Sequence, residues 1–177
     1  MSGKVIALVL MICSAIAGGG LYYLQVYGFY DEVLPGGASD VLLTTLRFGM
    51  PEPINHEEFQ AIHAESSPLR YRACFMTHLS LETLTETYVV HDDPVPNVAP
   101  GWFRCFDAAE ISAALEDGSA IAFLGTRNVA YGFDRVVAVS RDGHGFVWHQ
   151  LNRCGERYFN GKSLPEDCPP PSPRESQ

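Results

Sequence analysis

Residues 120–151 read AIAFLGTRNVAYGFDRVVAVSRDGHGFVWHQL. Three runs within this stretch, AIAFLGT (120–126), DRVVAVS (134–140) and GFVWHQL (145–151), are rich in β-branched and aromatic residues and read as strands. The DGHG between the second and third is a tight-turn sequence, which predicts a hairpin. The stretch therefore reads as an antiparallel meander, and it governs how the rest of the chain is interpreted.

Upstream, LRYRACFM (69–76) alternates: Leu69, Tyr71, Ala73 and Phe75 fall on one side and Arg70, Arg72, Cys74 and Met76 on the other, a strand pattern. VLLTTLRF (41–48) is also rich in strand formers. Between them Asn55 and Glu58 resemble a capping box, which predicts a short helix carrying Phe59 and Ile62 on one face. Ser80 is placed to cap a second short helix with Leu84 and Tyr88 on its inner stripe. HDDPVPNVAPGWF (91–103) reads as an extended arm, because its prolines forbid regular structure. Asp107 and Glu110 start a third helix with an apolar stripe of Ala108, Ile111, Ala114 and Leu115, and Gly118 stops it. CGERYFNGKSLPEDC reads as a small excursion turning at Asn160-Gly161, and PPPSPRESQ as an extended, unpacked tail. A strand, short helices and then a meander predict an α+β fold: a small antiparallel-sheet domain with two or three short helices.

The chain opens differently. Val5 to Leu24 carries no charge, and as a helix rising about 1.5 Å per residue it covers roughly 30 Å, the hydrocarbon thickness of a bilayer. Lys4 precedes the span, and Tyr22, Tyr23, Tyr27, Phe29 and Tyr30 cluster at its far end, where amphipathic rings favour the headgroup layer. A cleaved signal peptide is the rival, since Ala15 and Ala17 make an A-x-A pattern. Cleavage there would leave an exposed apolar terminus, LYYLQVYGFY, and so the residues favour a retained anchor. Small residues four apart (Ser14 with Gly18, Ala15 with Gly19) permit close helix–helix approach. The organisation expected is an N-terminal transmembrane helix in residues 1–30, spanning at about 4–27, a folded domain at 31–168 and a disordered proline-rich tail at 169–177. The span orients the N-terminus to the cytoplasm and the domain to the periplasm of an inner, cytoplasmic membrane.

Beyond Cys13, four cysteines remain, and an even count in an oxidising compartment predicts disulfides. Pairing nearest neighbours in sequence gives Cys74–Cys105 and Cys154–Cys168. Structural zinc competes poorly, because no C-x-x-C pair occurs. No metal or cofactor is expected.

A formal charge of −9 and a pI near 5.0 disfavour a nucleic-acid partner, which selects for a basic face. The chain lacks H-E-x-x-H and G-x-S-x-G, and its histidines at 56, 63, 78, 91, 144 and 149 show no ligand spacing. Arg127 and Arg153 stand at predicted strand ends beside Asn and Gly, where two guanidiniums could fork a carboxylate or phosphate; pairing with the abundant acids is the plainer use. Trp102 and Phe103, at the end of the arm, could form an interaction surface or plug the arm onto the sheet.

LYYLQVYGFYDEV (21–33), SSPLRYRACF (66–75), APGWFRCFDA (99–108), AIAFLGTRNVAYGFDRVVAV (120–139) and NRCGE…CPPP (152–171) together resemble a family of small uncharacterised alphaproteobacterial proteins classed as a domain of unknown function. The resemblance implies no activity. Members are sometimes labelled histidine kinases, but this chain has neither a nucleotide-binding glycine loop nor a phospho-acceptor histidine segment. The reading reached from the residues is a non-enzymatic accessory, assembly or scaffold component of an envelope complex with a protein partner. The alternative is a periplasmic enzyme or binder of a small anion using the Arg127/Arg153 region.

Overall fold

The structure, a computed structural model, describes residues 3–171. Helix α1 (Gly3–Tyr23) continues through a single π-helical turn, Leu24–Gly28, into the folded domain. Strand β1 (Asp31–Val33) follows, then the β2 (Leu42–Thr44) and β3 (Pro51–Pro53) hairpin, then β4 (Glu57–His63) and β5 (Arg72–Met76). Helices α2 (Leu81–Thr87) and α3 (Ala108–Glu116) flank the extended arm. Strands β6 (Ala120–Ala130), β7 (Phe133–Ser140) and β8 (His144–Leu151) form the expected meander, and α4 (Arg153–Phe159) closes the chain. The main sheet has six strands in the order β1-β4-β5-β8-β7-β6, with every neighbour antiparallel. The fold is thus a long apolar helix followed by an antiparallel-sheet domain with a few helices.

Side chains alternate across a strand, so register decides which core each residue enters. Ala73 pairs with Val147, and Val147 with Val137, and all three face one core together with Val41, Leu43, Ile54, Leu84 and Phe123. The β2–β3 hairpin and α2 supply its cover. One residue along, Trp148 pairs with Val136, and these face a second core with Ile62, Phe103, Phe106 and Ile111, covered by α3 and the end of the arm. Phe75 lies across from Gly145, and a Cβ on that glycine would stand 2.1 Å from the Phe75 ring, so only glycine admits it.

Local chemistry ends the helices as expected. Ser80 Oγ accepts from Thr83 N, Asp107 Oδ1 accepts from Ala109 N and Glu110 N, and Gly118 takes a positive φ of 74° just beyond α3. Helix α4 lies within the 154–168 excursion, capped by Asn152 at Gly155 N, and the excursion does turn at Gly161. The disulfides are Cys74–Cys105 and Cys154–Cys168.

The helix expected around Asn55–Ile62 is instead strand β4. Its neighbours Ala61 and Ile62 belong to opposite cores, an arrangement that one helix face cannot supply. Strands β1 and β5 pair with it on both sides, and Glu58, at φ 52°, sits in an irregularity of the β4–β5 register. Tertiary pairing overrides a local capping pattern here. The strand expected over 41–48 is shorter, Leu42–Thr44 with a bridge from Thr45 to Tyr88. Of the expected tail, residues 172–177 lie outside the described residues.

The arm has no strand partners of its own, so side chains fix it. Arg72, buried in β5, donates from Nε to Asn97 O, from Nη2 to Val98 O and from Nη1 to Leu69 O and Tyr71 O. Its guanidinium also lies 5.6 Å from the Phe106 ring centroid. Burial pulls its pKa down to about 10, partly opposed by Tyr30, so it stays charged at neutral pH and is satisfied by carbonyl oxygens alone among the described residues. Asn97 Nδ2 donates to His149 O, Val95 N donates to Gln150 Oε1, and Gln150 Nε2 donates to Asp93 O. Replacing Arg72 with Met leaves four carbonyls without this donor. R72M is expected to lower unfolding free energy by about 3 kcal/mol or more in a urea titration. Limited proteolysis should then cut first within residues 91–103.

Candidate functional site

Three polar or aromatic assemblies stand out, and all lie towards the end of the sheet at which β1 leaves the anchor. The first is a seam between the arm and the span. Trp102 Nε1 donates to Val26 O at 2.7 Å; the Trp102 ring stacks at 6.2 Å on Tyr27 and meets Tyr30 edge-on at 5.9 Å. Arg70 lies 5.6 Å from the centroid of Tyr30 on its other side. A helix end exposes carbonyls that lack intrahelical partners, and the indole N–H meets one of them. Phe103 is buried in the second core, and Trp102 packs against that core and the Phe103 ring while its indole N–H reaches the end of the apolar helix.

The second assembly is buried. Arg135 Nε donates to His149 Nε2 at 3.1 Å, and His149 Nδ1 is 2.8 Å from Pro68 O. Because Nε2 must accept from the guanidinium, the proton sits on Nδ1 and is donated to Pro68 O: the ring is neutral. Tyr71 stacks on His149 at 4.7 Å, and Arg135 lies 4.5 Å from the Tyr71 centroid. Burial, followed by the Arg135 charge and then Arg72, drives the His149 pKa down to about 4 despite the bond to Pro68. Both ring nitrogens of His149 are hydrogen-bonded and the Tyr71 ring is stacked on it, so the histidine serves the fold. Nothing in the sequence singled it out beyond a histidine between Trp148 and Gln150 in a central strand.

The third is an open cleft of about 580 Å³ between the start of the arm, the far end of β6 and the β8–α4 junction. It gathers Arg127, Arg153 and His91, the two arginines singled out by the sequence and one histidine, together with Asp92, Asp93, Asp134 and Asp167. Arg153 is already paired with Asp167. Asp134 Oδ1 accepts from Asn128 N at 2.9 Å and from Asn152 Nδ2 at 2.7 Å, which fixes the cleft floor. Arg127 is exposed and makes no hydrogen bond or ion pair with any described residue. His91 Nδ1 is shielded from solvent and makes no hydrogen bond of good geometry with any described residue, although the Asp92 backbone lies near enough to the ring to favour its protonated form. Burial lowers the His91 pKa, with Asp134 and Asp92 pulling the other way and Arg127 adding to the fall, so the imidazole is predominantly neutral at pH 7. Asp93 and Asn128, on two walls of the cleft, hold positive φ values of 52° and 48°.

The other histidines stay apart. His56 Nδ1 is 3.0 Å from Ile54 O and its Nε2 is 3.9 Å from Asp40, while His63 ends β4. No group of three or more His, Cys, Asp or Glu among the described residues is arranged to hold a metal ion.

Residues 41–169 match a family whose description is "Family of unknown function (DUF6446)", and the chain belongs to that family. No curated protein and no solved structure matches it.

The buried histidine gives a pH signature. In the unfolded chain His149 takes up a proton near the ordinary histidine value of 6.5, whereas in the native state it resists until about 4. The unfolded state binds more protons in that window, so stability is full above it and falls as pH drops, by up to roughly 1.4 kcal/mol per pH unit for one such site. His91 acts in the same direction. Equilibrium unfolding between pH 7 and 4 should therefore show a falling stability whose slope is shallower in H149Q than in the native sequence.

Proposed function

We propose that this protein is a single-span component of the inner, cytoplasmic membrane, N-terminus in the cytoplasm, with its domain in the periplasm as a non-enzymatic scaffold or accessory of an envelope complex. The observation that carries this is the Trp102 seam: a hydrogen bond and two ring contacts fasten the domain to the last turns of the span. A domain held this way has a fixed stand-off and orientation from the bilayer, which is what an assembly partner requires and a freely tethered catalyst does not. Two disulfides support an oxidising compartment, and Lys4 before the span supports the orientation.

The span itself favours a helical partner. Residues 3–28 are long and apolar enough to cross a bilayer, and Cβ atoms built on Gly18, Gly19 and Gly20 would meet nothing within 4 Å beyond their own stretch of helix backbone. Small residues of that kind let a second helix approach closely. The Arg127 cleft favours a binder rather than a catalyst: its histidine lacks a nucleophile or orienting carboxylate bonded to it, the pairing that acid–base and triad chemistry need.

Isolation from native membranes in mild detergent should recover a partner in near-stoichiometric amount. G19L in the span and W102A at the seam should each reduce that recovery several-fold while leaving the disulfides intact. Recovery of the native chain alone, at native expression level, would overturn the proposal.

A further inference from the structure

The cleft at the β8–α4 junction has unmet demands of both signs. Arg127 offers a guanidinium with no partner among the described residues, although carboxylates line the same cleft. Asp92, Asp93, Asp134 and Asp167 outnumber Arg127 and Arg153 there, and Arg153 is already neutralised by Asp167. A simple anion such as phosphate or a dicarboxylate would meet Arg127 but be repelled by the remaining carboxylates. A simple cation would be attracted to the carboxylates but would find a guanidinium among them. Only a ligand that carries both charges answers the whole wall.

Three further features mark this as a site rather than a solvated groove. His91 Nδ1 is out of solvent without a well-formed hydrogen bond to any described residue, a deficit that an occupant can relieve. Asp93 and Asn128 hold left-handed backbone on two of its walls, and these are two of the three non-glycine residues with positive φ among those described. Rigid elements frame it: Gln150 ties the arm to β8, and Asn152 ties α4 to Asp134. The volume of about 580 Å³ lies within the range of small-molecule sites and exceeds what one small amino acid fills.

We infer that this cleft binds a small zwitterion, an amino acid or short peptide, with Arg127 taking its carboxylate and the Asp92/Asp134 side its ammonium. This goes beyond the scaffold reading and does not depend on it.

The test uses the full chain in detergent micelles and isothermal titration calorimetry. The probes are the common L-amino acids together with di- and trialanine; sodium phosphate and succinate serve as anions, and each zwitterion that binds is compared with its C-terminal amide and its N-acetyl form. The expected result is saturable binding of at least one zwitterion. Removing either its carboxylate or its ammonium should weaken binding at least tenfold, and so should R127Q or D92N. Because both side chains are exposed, neither variant should shift the melting temperature of the free protein. A free amino acid and a peptide are told apart by which arm binds more tightly. Binding of anions alone, equal binding of the amide or acetyl form, unchanged affinity in R127Q, or no binding by any zwitterion would each overturn the inference. Partner recovery from native membranes reports separately on the scaffold, so the two can fail independently.

Discussion

A sheet that is apolar on both faces needs a cover on both, and this requirement shapes the whole domain. One face presents no difficulty. The β2–β3 hairpin and α2 are regular elements whose backbones are satisfied internally, and they bring Val41, Leu43 and Leu84 onto Ala73, Val147 and Val137. The other face carries Trp148, Val136 and Ala138, and much of its cover is an arm containing three prolines that cannot hydrogen-bond as a strand. An extended segment without ladder bonds would peel away from the core unless side chains replaced those bonds. Arg72 does this by turning a buried cation towards the carbonyls of the arm and of the turn before β5. The Cys74–Cys105 bridge, two residues further along the same face, closes the loop covalently. By the loop-entropy account a bridge of this separation contributes on the order of 3–4 kcal/mol, comparable with Arg72 itself.

Burial of Arg72 without a carboxylate partner follows from what it must do. A buried ion pair stabilises little once desolvation is counted, and breaking one is severe. Carbonyl acceptors belong to the main chain and cannot be lost by substitution, and they lie on the two segments that must be joined. The same economy recurs at His149, whose neutral ring receives the Arg135 N–H and donates to Pro68 O, linking β7 and β8 to the turn before β5. Both assemblies place polar side chains in a nominally apolar sheet, and each specifies register: a one-residue slip would present Arg72 to the first core and Ala73 to the arm.

Much of this was legible in the residues, for reasons that differ by element. The meander at 120–151 was legible because β-branched runs and glycine turns coincide; α2 and α3 because Ser80 and Asp107 are side-chain caps whose bonds are local. Pairing of the cysteines followed from proximity along the chain. Residues 55–62 were misread because Asn55 and Glu58 imitate a cap over a distance too short to fix a period, while the hydrogen bonds that settle the matter come from β1 and β5. The cleft was half legible: Arg127 and Arg153 stood at strand ends, but that His91 and four aspartates would join them depends on where the arm begins and where α4 returns. Trp102 was undecided between plug and surface because its partner, Val26 O, is a backbone atom that no side-chain pattern announces. Arg72 and His149 were missed altogether, since a charge inside an alternating strand is ordinarily its solvent face.

The arm connects the remaining features. It begins at His91 in the cleft, passes Asn97 and Val98 beneath Arg72, and ends at Trp102 against the span. The cleft at one end and the apolar helix at the other are therefore joined by one segment of chain. Coupling through such a segment requires either two packed arrangements that ligands choose between or a stiff body that transmits position. The arm is built as the second. Its prolines remove backbone freedom before folding, Arg72, Asn97 and Gln150 hold it at successive points, and its far end is bridged to β5. A strut of this kind fixes the cleft relative to the last turns of the apolar helix, and under the scaffold proposal it holds that cleft in one place for a partner rather than signalling by changing shape.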